Sequence, residues 1–269
     1  MDKKIFKFAK KMCRHAKKIF FKYFDTENNG GHYKVDNTIV TKADTEINEY
    51  LIKQVRKHFP DCSVDGEEVD YGKSKKVWIC DPVDGTAMYA RHIQNAVFSL
   101  ALVEDGVPTF GCILDPFVDK MYYAFKGEGA FINGKPTRVN EVGWEYMKTI
   151  GQVDVWPYMD WDIVPCLKHL WKKSYPISIG SVAHACALVA SGALAYCLFP
   201  ATIEKHVDVA AAKIIVEEAG GIVTDFDGND QRYDTHINGV IMTNKVLNKD
   251  ILDIVKKYAK KVDREEKKD

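Results

Sequence analysis

A short apolar run, Val77-Trp78-Ile79-Cys80, leads directly into Asp81-Pro82-Val83-Asp84-Gly85-Thr86. An apolar run bounded by turn formers reads as a buried strand. The chain must therefore fold so that a core strand delivers two carboxylates to its rim. Carboxylates three residues apart in one turn repel each other unless a cation lies between them. Oxygen-only ligands suit Mg²⁺, which keeps part of its water shell and takes protein carboxylates together with substrate phosphate. Gly85 and Thr86 add backbone amides and a hydroxyl, and amides at a helix start receive anions. Taken alone, the segment is equally an ordinary tight surface turn, because Asp, Pro and Gly are all turn residues. Its position directly after a buried run favours phosphoryl chemistry, in which paired cations activate a water and hold the leaving oxygen.

Further acids without an obvious basic partner are Asp44, the pair Glu67-Glu68, and Asp208. The elements around them follow from periodicity. Ile5, Ala9, Met12, Ala16, Ile19 and Tyr23 recur at three- and four-residue steps among nine Lys and Arg residues between Lys3 and Lys22, which predicts a basic amphipathic helix. Such a helix could bind anionic lipid or RNA; the reading preferred here is a helix docked on the core with a solvated outer face. After the polar loop Asn28-Asn29-Gly30-Gly31, a second helix is expected over Ala43 to Arg56, with Asp44, Glu46 and Glu49 in its first turns. Val97–Val103, Thr109–Leu114 and Lys120–Phe125 alternate with turns, as in an antiparallel meander. Beyond about residue 145, helices over Val182–Ser191, Val209–Ala219 and Lys249–Tyr258 alternate with strands over Ile222–Thr224 and Val240–Met242, which is α/β layering. The expected organisation is an N-terminal α+β half, residues 1–142, carrying most of the candidate ligands, a C-terminal α/β half, residues 143–262, carrying Asp208, and a charged tail, residues 263–269.

Composition narrows the class. A length of 269 residues allows one large domain or two joined halves with a sizeable core. The 46% hydrophobic and 28% charged fractions exclude wholesale disorder and fibrous repeats. Lys plus Arg and Asp plus Glu both total 38, so no overall charge pulls the chain toward nucleic acid or membrane, and neither partner is expected. Seven scattered cysteines with no Cys-x-x-Cys pair form no readable disulfide framework or thiolate zinc site and suggest a reducing compartment. With no secretory leader and no apolar run near the ~18 residues of a spanning helix, the expectation is a cytoplasmic protein.

Gly66-Glu67-Glu68, the run Trp78 to Thr86, and Asp208-Val209-Ala210-Ala211-Ala212 with Glu218-Ala219-Gly220-Gly221 occur in that order and resemble the three signatures of the inositol monophosphatase family. Val40-Thr41-Lys42-Ala43-Asp44, the run Lys126 to Gly134, and Gly180-Ser181 support the resemblance, which extends from about residue 34 to 258. It implies a layered αβαβα sandwich of the sugar-phosphatase type, with an antiparallel N-terminal sheet and an α/β C-terminal half. It also implies a homodimer that hydrolyses small phosphate monoesters of sugars or polyols with Mg²⁺. The roles carried over put Glu67, Asp81 and the Val83 carbonyl on one Mg²⁺ and Asp81, Asp84 and Asp208 on a second. Asp81 bridges the two, and a third, looser Mg²⁺ lies near Glu67. Glu67, Asp44 and Thr86 take the catalytic roles, the last two orienting the attacking water. Asp84, Gly85, Thr86, Gly180 and Ser181 line the phosphate and substrate side. Asp208 rests on the resemblance; by itself it reads as a helix N-terminal acid.

Departures from the family pattern bear on substrate. Val207 stands where a tryptophan usually precedes the last metal aspartate, and Ala87-Met88-Tyr89 follow Thr86 in place of the usual run. Leu198 stands where inositol-specific members carry a hydroxyl-binding glutamate, and an insertion falls within Phe199 to Lys205. Inositol monophosphate is therefore not expected to be the best substrate. Glu204 and Lys205, with His206, are the nearby polar candidates for substrate contact, and each also reads as a loop surface residue. The alternatives are a nucleotide phosphatase acting on a ribose-linked phosphate of the 3′-phosphoadenosine type, a fructose-1,6-bisphosphatase, or a non-enzymatic RNA- or membrane-binding regulator on a phosphatase scaffold.

Overall fold

A computed structural model describes residues 1–26, 31–33, 39–156, 159–200 and 206–262. The expected tail, the loop residues Asn28 to Gly30, and the substrate candidates Glu204 and Lys205 lie outside the described residues.

Helix α1 (Lys3–Tyr23) forms where the apolar steps predict it, and Asp2 caps it by accepting the Lys4 and Ile5 amides at 2.7 and 3.1 Å. Its inner face buries Phe8, Ala9, Met12, Cys13, Ala16, Ile19 and Phe20. The short strands β1 (His32–Tyr33) and β2 (Ile39–Val40) pair with each other and lead to α2 (Lys42–His58). A capping box starts α2, with Thr41 and Asp44 each satisfying the other's backbone. Next come β3 (Ser63–Gly66), β4 (Lys76–Asp84), the single turn α3 (Thr86–Tyr89), β5 (Val97–Glu104), β6 (Val107–Asp115), β7 (Lys120–Phe125), β8 (Ala130–Ile132) and β9 (Lys135–Thr137). Strands β3 to β9 form one seven-stranded sheet in chain order.

The second half contains β10 (Ile150–Val153), β11 (Trp161–Asp162), α4 (Val164–Leu170), β12 (Tyr175–Ile177), α5 (Val182–Ala190), β13 (Tyr196–Phe199), α6 (His206–Glu218), β14 (Ile222–Thr224), β15 (Val240–Thr243), α7 (Asn248–Tyr258) and β16 (Lys260–Lys261). Its five-stranded sheet has the order β12-β10-β13-β15-β14.

Alternation along the strands produces the layers, because successive side chains leave a strand on opposite faces. In the seven-stranded sheet Trp78, Cys80, Phe98, Leu100, Phe110 and Cys112 pack against α1 and α2. Val77, Ile79, Val97, Ala101, Ile113 and Tyr122 face the opposite way, against α5 and α6. Cys197, Phe199, Val240 and Met242 of the five-stranded sheet close on the same two helices. Tyr196, Leu198 and Ile241 point outward to α4 and α7. The result is the αβαβα sandwich, with α5 and α6 as the middle layer. Gly111 lets α6 lie directly on β6, since a Cβ there would meet the Ala211 carbonyl oxygen at 2.5 Å.

Four local features differ from expectation. β4 does not stop at Cys80 but pairs with β5 as far as Asp84, crossing a bulge between Asp81 and Asp84. Pro82, which has no amide to donate, is tolerated inside the strand because the bulge interrupts the ladder there. The first sheet is antiparallel except at β3, which runs parallel to β4. Helix α6 begins at His206, three residues before the expected Val209, because the apolar run that signalled it starts after its first turn. Strands β3, β10 and β13 are too short for their periodicity to be read from the chain alone. All seven cysteines are buried and free, and among the described residues no helix is long and apolar enough to cross a membrane.

Candidate active site

The site is built where the rim of β4 meets the first turns of α2, α5 and α6. Parallel pairing of β3 with β4 matches Gly66 to Cys80, and the Glu67 amide donates to the Cys80 carbonyl at 3.1 Å. Glu67 therefore leaves β3 beside Asp81, and both acids reach the same end of the sheet. Beyond Asp81 the chain is clipped by short bonds: the Val83 amide donates to Asp81 Oδ1 at 2.9 Å, and the Thr86 hydroxyl lies 2.8 Å from the Val83 carbonyl. Gly85, at φ +91°, makes the turn into α3, and a Cβ there would meet the Asn95 carbonyl oxygen at 2.7 Å and Ser181 Cβ at 3.1 Å.

Asp44 comes from the N-terminus of α2. Its Oδ2 accepts the Thr41 amide at 2.8 Å and the Thr41 hydroxyl, while its Oδ1 lies 3.3 Å from the Thr86 hydroxyl. The carboxylate is fully buried. Burial pushes it up to about 7; the Thr41 hydrogen bonds oppose the rise, and the charges of Glu67 and Glu68 add to it.

Two groups of acids converge here. Asp44, Glu67 and Glu68 each present an oxygen within 4.8 Å of one another, as do Asp81, Asp84 and Asp208, the latter three all buried. Three buried carboxylates are mutually repulsive and offer only hard oxygen donors, so they fit a hard divalent cation and neither soft metals nor an apolar ligand. The expected second-ligand set is thus assembled as a cluster. Glu67, expected with Asp81, lies in the Asp44 group, and the sequence reading named Glu68 without assigning it a place. Its signal was the adjacent acid pair; its placement needed the capping box of α2.

Asp84 does more than point at the cluster. It accepts the Ser181 hydroxyl, the Val182 amide at 3.2 Å and the Ala183 amide at 2.9 Å, and so occupies the N-terminus of α5. The helix dipole favours a carboxylate there. Ser181, expected on the substrate side, directs its hydroxyl to this carboxylate, and Gly180, at φ +78°, packs beside Met88. His184 of α5 is braced behind them by Asn95, at 2.7 Å from Nδ1, and by Asp115.

Asp208 sits in the first turn of α6. His206, a polar candidate for substrate contact that also reads as a loop surface residue, is instead buried in α6; its Nε2 lies 2.7 Å from Asp65 Oδ2. Leu198 belongs to the outer core with α4 and α7, so it does not line this site. Asp154 was missed altogether: at the end of β10 it is buried and bonds to Gln152 and Ser178, just before the segment that holds Asp84. Only the position directly after a strand is shared with Asp81; Ile150-Gly151-Gln152-Val153 lacks the continuous apolar run that marked the latter.

Residues 1–260 match the sequence model of the inositol monophosphatase family. The chain is 32% identical over 225 residues to the fructose-1,6-bisphosphatase/inositol-1-monophosphatase of Thermotoga maritima, covering 83% of this chain and 85% of that protein. It is 29% identical over 251 residues to the histidinol-phosphatase of Chlorobaculum parvum, covering 91% and 93%. A solved structure of the Thermotoga maritima IMPase superposes with a TM-score of 0.83 at 28% identity, covering 96% of this chain and 98% of that one.

Proposed function

The chain belongs to the inositol monophosphatase family and is a phosphoric monoester hydrolase, and from this we propose that it hydrolyses small sugar or polyol phosphates with Mg²⁺ held by the two acid groups. The buried convergence of Asp81, Asp84 and Asp208 carries the reading, because such a cluster is costly without a divalent cation between its members. Asp81, Asp84 and Asp208 would hold one ion; Glu67, Asp81 and the Val83 carbonyl, which keeps a second lone pair beside the Thr86 hydroxyl, would hold another. When bound, the ions supply Lewis acidity that lowers the pKa of water and offsets charge on phosphoryl oxygens.

The remaining work falls to side chains and backbone of this chain. Thr86 and Asp44 are close enough to share a proton path, so they orient the attacking water and accept its proton into a carboxyl already held near neutrality. The Gly85 and Thr86 amides, at the left-handed turn that opens α3, would receive the phosphate. Asp84, seated on α5, keeps the substrate-side wall in register with the acids.

The names of the relatives span a hexose bisphosphate, an inositol phosphate and histidinol phosphate, which supports a shared metal core whose substrate is chosen elsewhere. With Leu198 in the outer core, this chain offers no acceptor for inositol hydroxyls at that position. Inositol monophosphate is accordingly not its best substrate. The partner is a small phosphorylated metabolite, and the working form is a cytoplasmic homodimer. The test is phosphate release from inositol monophosphate, fructose 1,6-bisphosphate, histidinol phosphate and a nucleoside 3′,5′-bisphosphate, each with Mg²⁺ and with chelator. Mg²⁺-dependent turnover with a better substrate than inositol monophosphate is expected. A tenfold preference for inositol monophosphate would remove the substrate part of the reading, and turnover unaffected by chelator would remove the metal part.

A further inference from the structure

The candidate metal acids reach the site from separate parts of the fold: Glu67 follows β3, Asp81 and Asp84 end β4, and Asp208 comes from α6. We propose that the hydrogen bond between Asp65 and His206 is the positioning contact that registers α6 against β3 and so sets the affinity of the acid cluster for Mg²⁺. The proposal rests on the metal-dependent reading above. Asp65 lies two residues before Glu67, and His206 lies two residues before Asp208. One contact of 2.7 Å, between residues 141 apart in sequence, therefore ties together the strand that carries one ligand and the helix turn that carries another.

A carboxylate can only accept, so Nε2 carries the proton and donates to Asp65. Nδ1 is buried and has no partner among the described residues, so this one bond aims the ring. Val207 and Val209 bury the first turn of α6 in the core, and the Asp65–His206 bond adds the direct polar tie to β3. The contact of Ala211 with Gly111 fixes the middle of α6 against β6, whereas Asp208 and His206 belong to the first turn, where helices fray unless tied down. Asp65 is itself held by its register with Ile79 in the sheet, so the anchor is rigid. Groups that orient metal ligands without touching the metal commonly tune metal affinity by 10–100-fold.

Two explanations must be separated: Asp65 could act through its charge alone, or the pair could matter only for stability. His206→Ala removes the donor and leaves the charge; Asp65→Asn removes the charge and keeps an acceptor; His206→Gln restores an N–H near the position of Nε2. Mg²⁺ binding is measured by titration calorimetry on each full-length protein, alongside thermal unfolding in chelator and an Asp208→Asn control. The expected result is about a tenfold or greater loss of Mg²⁺ affinity in His206→Ala, recovery in His206→Gln, a smaller loss in Asp65→Asn, and metal-free melting within a few degrees of wild type. His206→Ala binding Mg²⁺ as tightly as wild type would overturn the proposal, as would a lowered metal-free melting temperature with unchanged affinity. Loss in Asp65→Asn without loss in His206→Ala would assign the effect to charge and also overturn it. If wild type and Asp208→Asn alike fail to bind Mg²⁺, the metal-dependent reading itself fails.

Discussion

Thr86 holds its hydroxyl between the Val83 carbonyl at 2.8 Å and Asp44 at 3.3 Å, and in the proposed reaction it would also orient the attacking water. Thr86→Ala should lower turnover by about two to three orders of magnitude, the scale of one preorganised donor, while Mg²⁺ affinity measured by calorimetry changes little. Turnover at the wild-type rate would put the water elsewhere. Asp44 gives a second prediction. Its folded-state pKa of about 7 lies above the ordinary carboxylate value, so in metal-free protein its contribution to stability is full at low pH and is lost as pH rises toward neutrality. Asp44→Asn should therefore raise the melting temperature in chelator at pH 8, with the gain shrinking toward pH 4; a gain independent of pH would contradict the buried-charge argument. Asp81 and Asp84 were legible in the sequence because their spacing is local. Asp208 was reached only through family resemblance. The seat of Asp84 on α5 and the bond of His206 to Asp65 were not legible, since they join residues 97 and 141 apart.

Among the elements, α1 was the most legible, because a 21-residue helix repeats its apolar step often enough to be read. Its stripe lies in the core with Trp78 and Phe98, whereas three of its lysines make peripheral contacts, Lys17 with Asp119 at 2.6 Å, Lys11 with Gln54 at 2.6 Å, and Lys10 over the Phe6 ring. Ile19→Asp should destabilise the protein by about 3 kcal/mol or more, the cost of burying an unpaired charge. Replacing Lys10, Lys11 and Lys17 together by Gln should cost about 1 kcal/mol or less, as exposed pairs do. Denaturant unfolding of the two variants decides the matter, and the reverse ranking would return α1 to a binding role. The end of β4 was misread for a physical reason: Pro82 and Gly85 are turn signals, yet the bulge lets pairing with β5 resume at Asp84. The parallel course of β3 depends on a chain return that four residues cannot announce.

At the scale of the molecule, the sandwich places α5 and α6 between two sheets, so the acids of the first sheet meet the helix termini of the middle layer. Alternation made the meander and the α/β half legible, and the five-layer sandwich was reached through family resemblance; strand order and the shared middle layer were not legible in the residues, because they arise from packing between segments distant in the chain. We propose that this meeting point holds Mg²⁺ for phosphate ester hydrolysis, with Asp81 among the residues that would hold the ions. The most direct test is the rate of phosphate release by Asp81→Asn at saturating Mg²⁺, on protein whose circular dichroism and melting confirm folding. The expected result is a loss of about three orders of magnitude in turnover, the upper end of what one lost preorganised group costs. Near-wild-type turnover by the folded variant would contradict it.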